Sequence, residues 1–281
     1  MPLRSLRPLL SLALCLAAPL AGAEPPRALV LATTTSVQDS GLFDVLLPEF
    51  RRQSGREVQL VAVGSGAALR MGVDGNADLL VTHAPEAEEK LVASGELAKR
   101  TPFMQNHFAI AGPPQDPAGV RGAPSGAEAM RRIAAARAPY LSRGDESGTH
   151  QRERALLAAA GLDPATSWPG LQRTGSGMGL TLQVAGEKRG YTLTDIGTFL
   201  AYAKRIELEA LTGEAPDLRN VYSVLRVSPG RHPKLDDAGA AALESFLLAR
   251  ETQERIASFG VEKFGQPLFQ RLDPIGAATA P

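Results

Sequence analysis

Short apolar runs alternate along this chain with loops rich in glycine, serine and threonine, and most of these loops lead into a helical pattern. The run at 28–32 is followed by such a loop at 33–39, and Val58–Val63 is followed by Gly64-Ser65-Gly66. Strands that alternate with helices favour parallel pairing, with helices on both faces of the sheet. The sequence therefore predicts an α/β fold.

The first 23 residues have the pattern of a secretory signal peptide. Arg4 and Arg7 precede a mainly apolar run at 9–20, and Ala21-Gly22-Ala23 is a small-x-small cleavage pattern. Because the run is too short to span a bilayer, we expect cleavage after about Ala23 and a mature protein in the periplasm. Cleavage also removes Cys15, the single cysteine, which excludes disulfides and thiolate metal sites from the mature chain.

Bulk charge excludes some partners. The 281 residues carry 30 Lys+Arg against 30 Asp+Glu, so there is no overall basic field for nucleic acid or a membrane surface. A hydrophobic content of 44% with 21% charged residues is ordinary for a globular protein, which excludes wholesale disorder and fibres. The length is sufficient for two domains.

Four loops share the same chemistry, because each is rich in hydroxyl groups or glycine, follows a strand and begins a helix. They lie at 33–36, 64–66, 142–149 and 175–179. In open α/β sheets such loops lie at the carboxyl ends of the strands, where ligands bind. Helix N-termini offer unpaired N–H groups to a small anion, and Arg143 adds a charged fork for two oxygens. Each loop alone could be an ordinary N-cap, but the four together indicate an anion site.

Motifs for catalysis or metal binding are scarce. The four histidines show no metal-ligand spacing, and no G-x-S-x-G elbow, P-loop or dinucleotide fingerprint follows a strand. The sequence therefore predicts a protein that is not an enzyme and that has no cofactor and no site for a free metal cation. The alternative is an exported hydrolase in which Ser147 is the nucleophile and His150 the base.

Collinear motifs cover nearly the whole predicted mature chain and resemble the tungstate-specific substrate-binding proteins of bacterial ABC transporters, the TupA family. They read LATTTS, SGLFDVLLPEF, VAVGSGAAL, THAPEAEEKLV, SRGDESGTH, TGSGMGLTL, EKRGYTLTD and FGVEKFGQPLF. The specific part of this resemblance is TTTS together with SRGD-x-SGT, since the glycine-rich pieces alone are common.

The resemblance implies a two-lobed type II periplasmic binding protein. Each lobe would be a mostly parallel sheet flanked by helices, and two crossing strands at 108–111 and 222–227 would join the lobes. Lobe one would comprise 24–111 plus 220–281, and lobe two would comprise 112–219. The implied protein is a monomer without a nucleic-acid partner, which delivers its ligand to an ABC permease and, through it, to an ATPase.

By the same resemblance, the two specific loops face each other across a cleft that holds the oxyanion. The implied ligand-binding residues are Thr34, Thr35, Ser36 and Ser65 on one side and Ser142, Arg143, Ser147, Gly148 and Thr149 on the other. Secondary candidates are Gly66, Gly179 and Tyr191, the last by distant analogy to molybdate binders. Ser65 and Ser176 stand where the family more often has Thr and Gln, so only the hydroxyl donor at Ser65 is expected to persist.

The implied function is high-affinity binding of tungstate for an ABC importer, and molybdate and phosphate are the alternative ligands. The motif Arg143-x-Asp145-x-Ser147-Gly148-Thr149 also matches periplasmic phosphate binders, in which an aspartate accepts a hydrogen bond from protonated phosphate. Tungstate and molybdate carry no proton near neutral pH, so a carboxylate aimed at them would repel them. We therefore expect Asp145 to pair with Arg143 or to accept from backbone N–H groups.

Overall fold

The computed structural model describes residues 27–163 and 168–272, and the predicted signal peptide lies outside these ranges. Strands and helices alternate through most of the described chain. The strands are Leu29–Thr34 (β1), Val58–Val63 (β2), Leu79–Thr82 (β3), Leu97–Gly112 (β4), Tyr140–Ser142 (β5), Leu171–Arg173 (β6), Thr192–Asp195 (β7), Glu209–Ala210 (β8), Arg219–Val227 (β9) and Gln270–Arg271 (β10).

Helices follow the strands at nearly every loop that the sequence rhythm indicated. The α-helices are Thr35–Ser40 (α1), Leu42–Ser54 (α2), Ser65–Val73 (α3), Pro85–Ala93 (α4), Gly126–Ala135 (α5), Gly148–Ala159 (α6), Met178–Glu187 (α7), Ile196–Tyr202 (α8), Asp237–Leu248 (α9), Arg250–Ser258 (α10) and Val261–Phe264 (α11). Among the described residues, none of these helices has the length and apolar character that crossing a membrane requires.

The first sheet is mixed and has the order β10-β4-β9-β3-β1-β2. β1 pairs in parallel with β2 and β3, as the strand-and-helix alternation predicted. β9 lies antiparallel between β3 and β4. This antiparallel strand enters from the C-terminal part of the chain by a long connection, so the local rhythm of apolar runs did not indicate its direction.

β4 is the strand that crosses between the two sheets. Its first part pairs with β9 up to the pair His107–Arg219, and from Phe108 onward it pairs antiparallel with β7. The segment 108–111 therefore enters the second sheet, as expected of a crossing strand. The segment 222–227, expected to be the other crossing strand, instead pairs wholly within the first sheet. The division of the chain into 24–111 plus 220–281 and 112–219 stays a prediction.

Both faces of the first sheet are covered by helices, which explains its continuously apolar strands. Leu31, Val81 and Val224 belong to a buried cluster with residues of α2 and α9. Their neighbours on the strands, such as Ala32 and Leu80, belong to a second cluster with α3. The two sides together hold the strands firmly, so the loops at their carboxyl ends project from a rigid support.

The second sheet is covered in the same way on its two faces. Phe108 and Ile110 of β4 pack with residues of α5 and α6, whereas Ala111 packs with residues of α7 and α8. β5 pairs in parallel with β6 and reaches β7 through a single bridge between Tyr140 and Tyr191. The first sheet with its helices forms one half of the molecule, and the second sheet with its helices forms the other. α1 of the first half contacts α7 and α8 of the second, so the loops of both halves approach one another.

Candidate functional site

Four helices begin at the four loops that the sequence predicted to bind an anion, namely α1, α3, α6 and α7. None of these helices carries an acidic residue in its first turn. In contrast, α2, α4, α5, α9 and α10 all carry one there, where a carboxylate stabilises the helix dipole. α8 carries none in its first turn, but the carboxylate of Asp195 caps its start. Acidic residues are therefore missing at the helix starts where a bound anion would take their place.

The first loop, 33–36, ends β1 and begins α1. Thr34 and Ser36 are buried, and their hydroxyl oxygens lie 3.2 Å apart in a hydrogen bond. Thr34 occupies the N-cap position, but its side chain makes no capping hydrogen bond there. Thr35 is half-buried at the first position of α1. The hydroxyl of Thr34 therefore bonds Ser36 and does not cap the backbone of α1.

The loop at 142–149 turns sharply between β5 and α6. Gly144 and Glu146 adopt left-handed conformations with φ of 62° and 59°. This turn folds Asp145 back, so that its carboxylate accepts from Arg143 and, at 3.2 Å, from the backbone N–H of Ser147. The expectation for Asp145 is confirmed on both counts, because it pairs with the arginine and accepts from the backbone.

Loops from the two sides of the cleft touch. A Cβ atom at Gly64 would lie 3.6 Å from Ser147 Cα. A Cβ atom at Gly148 would lie 2.8 Å from Ser65 Oγ and 2.7 Å from His83 Cε1, closer than side-chain atoms normally approach. The start of α6 is therefore pressed against the start of α3, and the cleft is closed.

Three buried donors on the loops that meet at this contact have no partners. Within the described residues, Ser65 Oγ, Arg143 Nε and Thr149 Oγ1 are buried and have no hydrogen-bonding partner in the protein. The three residues are 0%, 3% and 1% exposed. A buried donor left unpaired costs about 1–3 kcal/mol, so native proteins rarely retain several at one place without a ligand. All three can donate, so a group rich in acceptor oxygens would suit them.

His83 also lies in the site, although the sequence reasoning missed it. Its Nδ1 lies 2.8 Å from Asn220 Oδ1. The amide nitrogen of Asn220 donates to Asn106 and to the hydroxyl of Tyr222, which fixes Asn220 Oδ1 as the acceptor. His83 therefore carries its proton on Nδ1. Burial lowers its pKa to about 4, so the ring is neutral at pH 7.

A buried network links the two specific loops behind the contact. The Tyr222 hydroxyl bonds the side chains of Ser36 and Asn220, and its ring stacks on His83 with centroids 4.8 Å apart. His83 in turn packs against Gly148 of the loop at 142–149. A signal for this role was present in the sequence, since His83 directly follows β3 at the edge where the other loops lie.

Ser142 faces a buried carboxylate that the sequence reasoning also missed. Its hydroxyl donates to Glu153 of α6, which also accepts from the phenol of Tyr140 at 3.2 Å. The backbone N–H of Arg143 is a further donor to this carboxylate, whose pKa burial raises to about 7. Glu153 thus fixes the start of the loop at 142–149 through hydrogen bonds. In the sequence it is one of several charged residues of a helix, and nothing else marks it.

Two secondary candidates, Tyr191 and Gly179, lie outside this donor cluster or are engaged elsewhere, and so is Ser176, which was not expected to contact the ligand. The buried hydroxyl of Tyr191 donates to Asp116 and accepts from the backbone of Ala118, both at 2.9 Å. The Ser176 hydroxyl donates to the carbonyl of its neighbour Thr174. Gly179 lies in the first turn of α7, where its missing side chain makes room for Tyr202.

Gly66 lies in the first turn of α3, directly after Ser65. Its backbone N–H is among those that a helix start leaves without an intrahelical partner. A Cβ atom there would meet nothing nearer than an Arg70 nitrogen at 3.7 Å, so no close packing requires glycine at this position.

The serine–histidine pair of the alternative hydrolase is not assembled. The hydroxyl of Ser147 caps α6 by accepting from the backbone N–H of His150 at 3.3 Å. The Nδ1 atom of His150 accepts from the backbone N–H of Glu146 at 3.0 Å. Among the residues that the structure describes, no three His, Cys, Asp or Glu side chains are grouped to hold a metal ion.

Two α/β halves that close over a cluster of inward-facing donors define a periplasmic binding protein, and residues 21–251 match the PBP superfamily domain. The tungstate-binding protein TupA of Peptoclostridium acidaminophilum is 40% identical over 243 residues, which are 86% of this chain and 84% of that protein. The chain belongs to the TupA family.

Solved structures agree with this assignment. The tungstate ABC transporter protein of Geobacter sulfurreducens superposes with a TM-score of 0.75 and 39% identity, covering 83% of this chain and 98% of that one. The tungstate-binding protein TupA of Desulfovibrio alaskensis G20 superposes with a TM-score of 0.74 and 38% identity, covering 88% and 99%. These relatives are named as binding or transporter proteins, not as enzymes.

Proposed function

We propose that this protein binds tungstate in the cleft between its two halves and delivers it to an ABC importer. The observation that carries the proposal is the group of three buried donors without partners, Ser65 Oγ, Arg143 Nε and Thr149 Oγ1. They come from both sides of a closed cleft, so one ligand with several acceptor oxygens would satisfy all of them. A tetrahedral oxyanion has that chemistry.

The remaining predicted residues have roles in the same proposal. Thr34, Thr35, Ser36, Gly66, Gly148 and the other residues at the starts of the helices would supply backbone N–H groups and hydroxyls. Ser147 would donate its hydroxyl hydrogen to the ligand, since the oxygen of that hydroxyl already accepts from His150. Arg143 would supply the only full positive charge among them. Such local donors can hold an anion in a protein without net positive charge.

The position of Asp145 favours an oxyanion without a proton. Its two carboxylate oxygens are committed to Arg143 and to the backbone of Ser147. A protonated phosphate needs an acceptor for its hydrogen, and this carboxylate is turned toward protein donors instead. We therefore place tungstate before phosphate. Molybdate has the same charge and shape, so its discrimination depends on small differences in size.

Delivery to an importer is the second part of the proposal. Relatives at about 40% identity carry the names of a tungstate-binding protein and a tungstate ABC transporter protein. Closure of the cleft over the ligand would give a permease a distinct loaded form to recognise. We propose that the protein acts in the periplasm as a monomer, after removal of the N-terminal segment, and that it needs no cofactor.

Calorimetric titration of the purified mature protein with tungstate, molybdate, phosphate and sulfate tests the proposal. We expect tungstate to bind most tightly, with molybdate next and phosphate far weaker. Tighter binding of phosphate than of tungstate would contradict the assignment of the ligand. Export can be followed separately by fractionating cells that express the full chain, with the mature protein expected in the periplasmic fraction.

A further inference from the structure

Glu153 bonds residues at the start of the loop at 142–149, which is proposed to hold the oxyanion, and is only 2% exposed. Its carboxylate accepts from three donors on β5 and the following loop, which are the hydroxyl of Ser142, the phenol of Tyr140 and the backbone N–H of Arg143. It has no ion-pair partner within 4 Å among the described residues, unlike the buried Glu88, which pairs with Arg100 at 2.7 Å. Burial favours the neutral form of this carboxylate, whereas its three hydrogen bonds favour the ionised form, so the two forms compete.

The hydroxyl of Ser142 can serve only one acceptor at a time, because it has one hydrogen. An ionised Glu153 only accepts, so it holds that hydrogen away from the ligand. A protonated Glu153 can donate to Ser142 Oγ instead, and this releases the serine hydrogen to turn toward an oxyanion. The protonation state of Glu153 therefore decides whether Ser142 is a donor to the site.

We propose that Glu153 is a positioning residue that takes up a proton from solvent when the oxyanion binds, and so turns the Ser142 hydroxyl toward the ligand. This inference rests on the proposed function. A second reason for the proton uptake is electrostatic, because a dianion placed near a buried carboxylate favours its neutral form.

Other titratable groups around Glu153 are distinguished from it by their charge or by the variants described below. Burial raises the pKa of Tyr140 well above its usual value, so the phenol stays a donor. The guanidinium of Arg173 on β6 favours ionised Glu153. Burial lowers the pKa values of His150, on the same helix, and of His83, across the cleft. Proton uptake by either ring would persist in Glu153→Gln, so that variant distinguishes them from Glu153.

The test is calorimetric titration with micromolar sodium tungstate in pairs of buffers that differ in their ionisation enthalpy. Net proton uptake is expected near pH 7. Linkage through one required proton, on a group with a pKa of about 7 in the free protein, predicts binding about 25-fold weaker at about pH 8.5 than at about pH 6.5. This dependence follows because ionised Glu153 must be protonated before the complex reaches its final form.

Variants separate this linkage from a structural role. Glu153→Gln keeps the shape and carries an amide that can donate to Ser142, so we expect affinity that does not change with pH and no proton uptake. The matched control is Glu244→Gln, a buried glutamate of α9 that bonds Lys99 and Arg226 and lies outside the site. This control should keep both the affinity and its pH dependence.

Ser142→Ala tests the direction of the hydroxyl independently. Its loss of affinity should be larger at pH 6.5 than at pH 8.5, because at the higher pH the serine hydrogen already faces Glu153. An equal loss at both pH values contradicts the proposed turn of Ser142. This measurement also decides the question if Glu153→Gln does not fold, as judged by circular dichroism.

Failure of the inference can be distinguished from failure of the proposed function. If the unaltered protein binds tungstate with the same affinity at every pH and without proton uptake, only the role of Glu153 is wrong. Proton uptake that persists in folded Glu153→Gln has the same meaning. If the unaltered protein binds no tungstate at any pH, the proposed function is wrong and this inference with it.

Discussion

Gly148, the first residue of α6, lies so close to Ser65, the first residue of α3, that a Cβ atom on the glycine would be 2.8 Å from the serine hydroxyl oxygen. His83 crowds the same position, with its Cε1 at 2.7 Å. The φ angle of Gly148 is not positive, so the glycine is required by the close approach of the two halves and not by its own backbone conformation.

Gly148→Ala should therefore weaken tungstate binding without weakening the fold. The added methyl group would force the two halves apart, and overpacking of this kind costs about 1–3 kcal/mol, or about 5- to 150-fold in affinity. Within the helix, alanine is the more favourable residue. Calorimetry and chemical denaturation would measure the two effects.

Gly186→Ala is the matched control for this substitution. Gly186 also lies in a helix, α7, but its added Cβ would meet its nearest neighbour at 3.6 Å, which is an ordinary contact. Equal affinities of Gly148→Ala and Gly186→Ala for tungstate would show that the close approach at Gly148 is not needed for binding.

Arg143 should be the most sensitive residue of the site. Loss of its buried charge-assisted contact in Arg143→Ala is expected to weaken oxyanion binding by about 2–4 kcal/mol. Arg143→Lys keeps the charge but lacks the Nε donor that has no partner in the protein. We expect it to recover only part of the lost affinity.

The exposed Arg250, on α10, offers the control, because its side chain is 88% exposed and forms an ion pair with Glu254 of its own helix. Arg250→Ala should bind tungstate like the unaltered protein in calorimetric titrations. If Arg143→Ala does the same, Arg143 does not belong to the site.

The loops of the site were predictable, whereas the contacts between them were not. Each loop is marked locally by a strand, a glycine or hydroxyl cluster and a helix, so Ser65, Arg143 and Thr149 could be placed at the sheet edges from pattern alone. The reason that position 148 is glycine depends on Ser65 and His83 from distant segments. Such a constraint leaves no trace in local spacing.

The fold was likewise predictable where it depends on local pattern and unpredictable where it depends on pairing between distant segments. The parallel strands β1, β2 and β3 follow from alternation with helices, and the structure confirms them. The course of β4 depends on pairing with β9 and then with β7, which the chain reaches more than 75 residues later. Long-range pairing also decides that 222–227 stays in the first sheet, although its apolar character suits either position.

Tungstate should raise the melting temperature of the protein. A ligand at about 100 times its Kd stabilises the folded state by about 2.7 kcal/mol. For a domain of this size, each kcal/mol raises Tm by about 2–4 °C, so an increase of about 5–10 °C is expected. Phosphate at the same concentration is the control, because Asp145 is not turned to accept its proton. An equal shift with both anions would contradict the selectivity argued from Asp145.

The stability of the protein should depend on pH through His83. Burial lowers the pKa of His83 from 6.5 to about 4, so between these values the unfolded chain binds a proton that the folded chain does not. The contribution of His83 to stability is therefore complete above about pH 6.5 and falls as the pH drops toward 4. Glu153 acts with the opposite sign, because its pKa is raised from 4.5 to about 7 and stability falls as the pH rises between these values.

Comparison with a variant isolates the histidine, because Glu153 contributes equally to both proteins. His83→Gln removes the titrating ring but leaves a polar side chain beside Asn220. The unfolding free energy of the unaltered protein minus that of His83→Gln should decrease by about 2 kcal/mol from pH 7.5 to pH 4.5, since each pKa unit corresponds to about 1.4 kcal/mol. Urea denaturation at the two pH values measures this difference. A constant difference would mean that His83 binds its proton equally well in the folded and unfolded chains, and that burial against Gly148 does not keep the ring neutral.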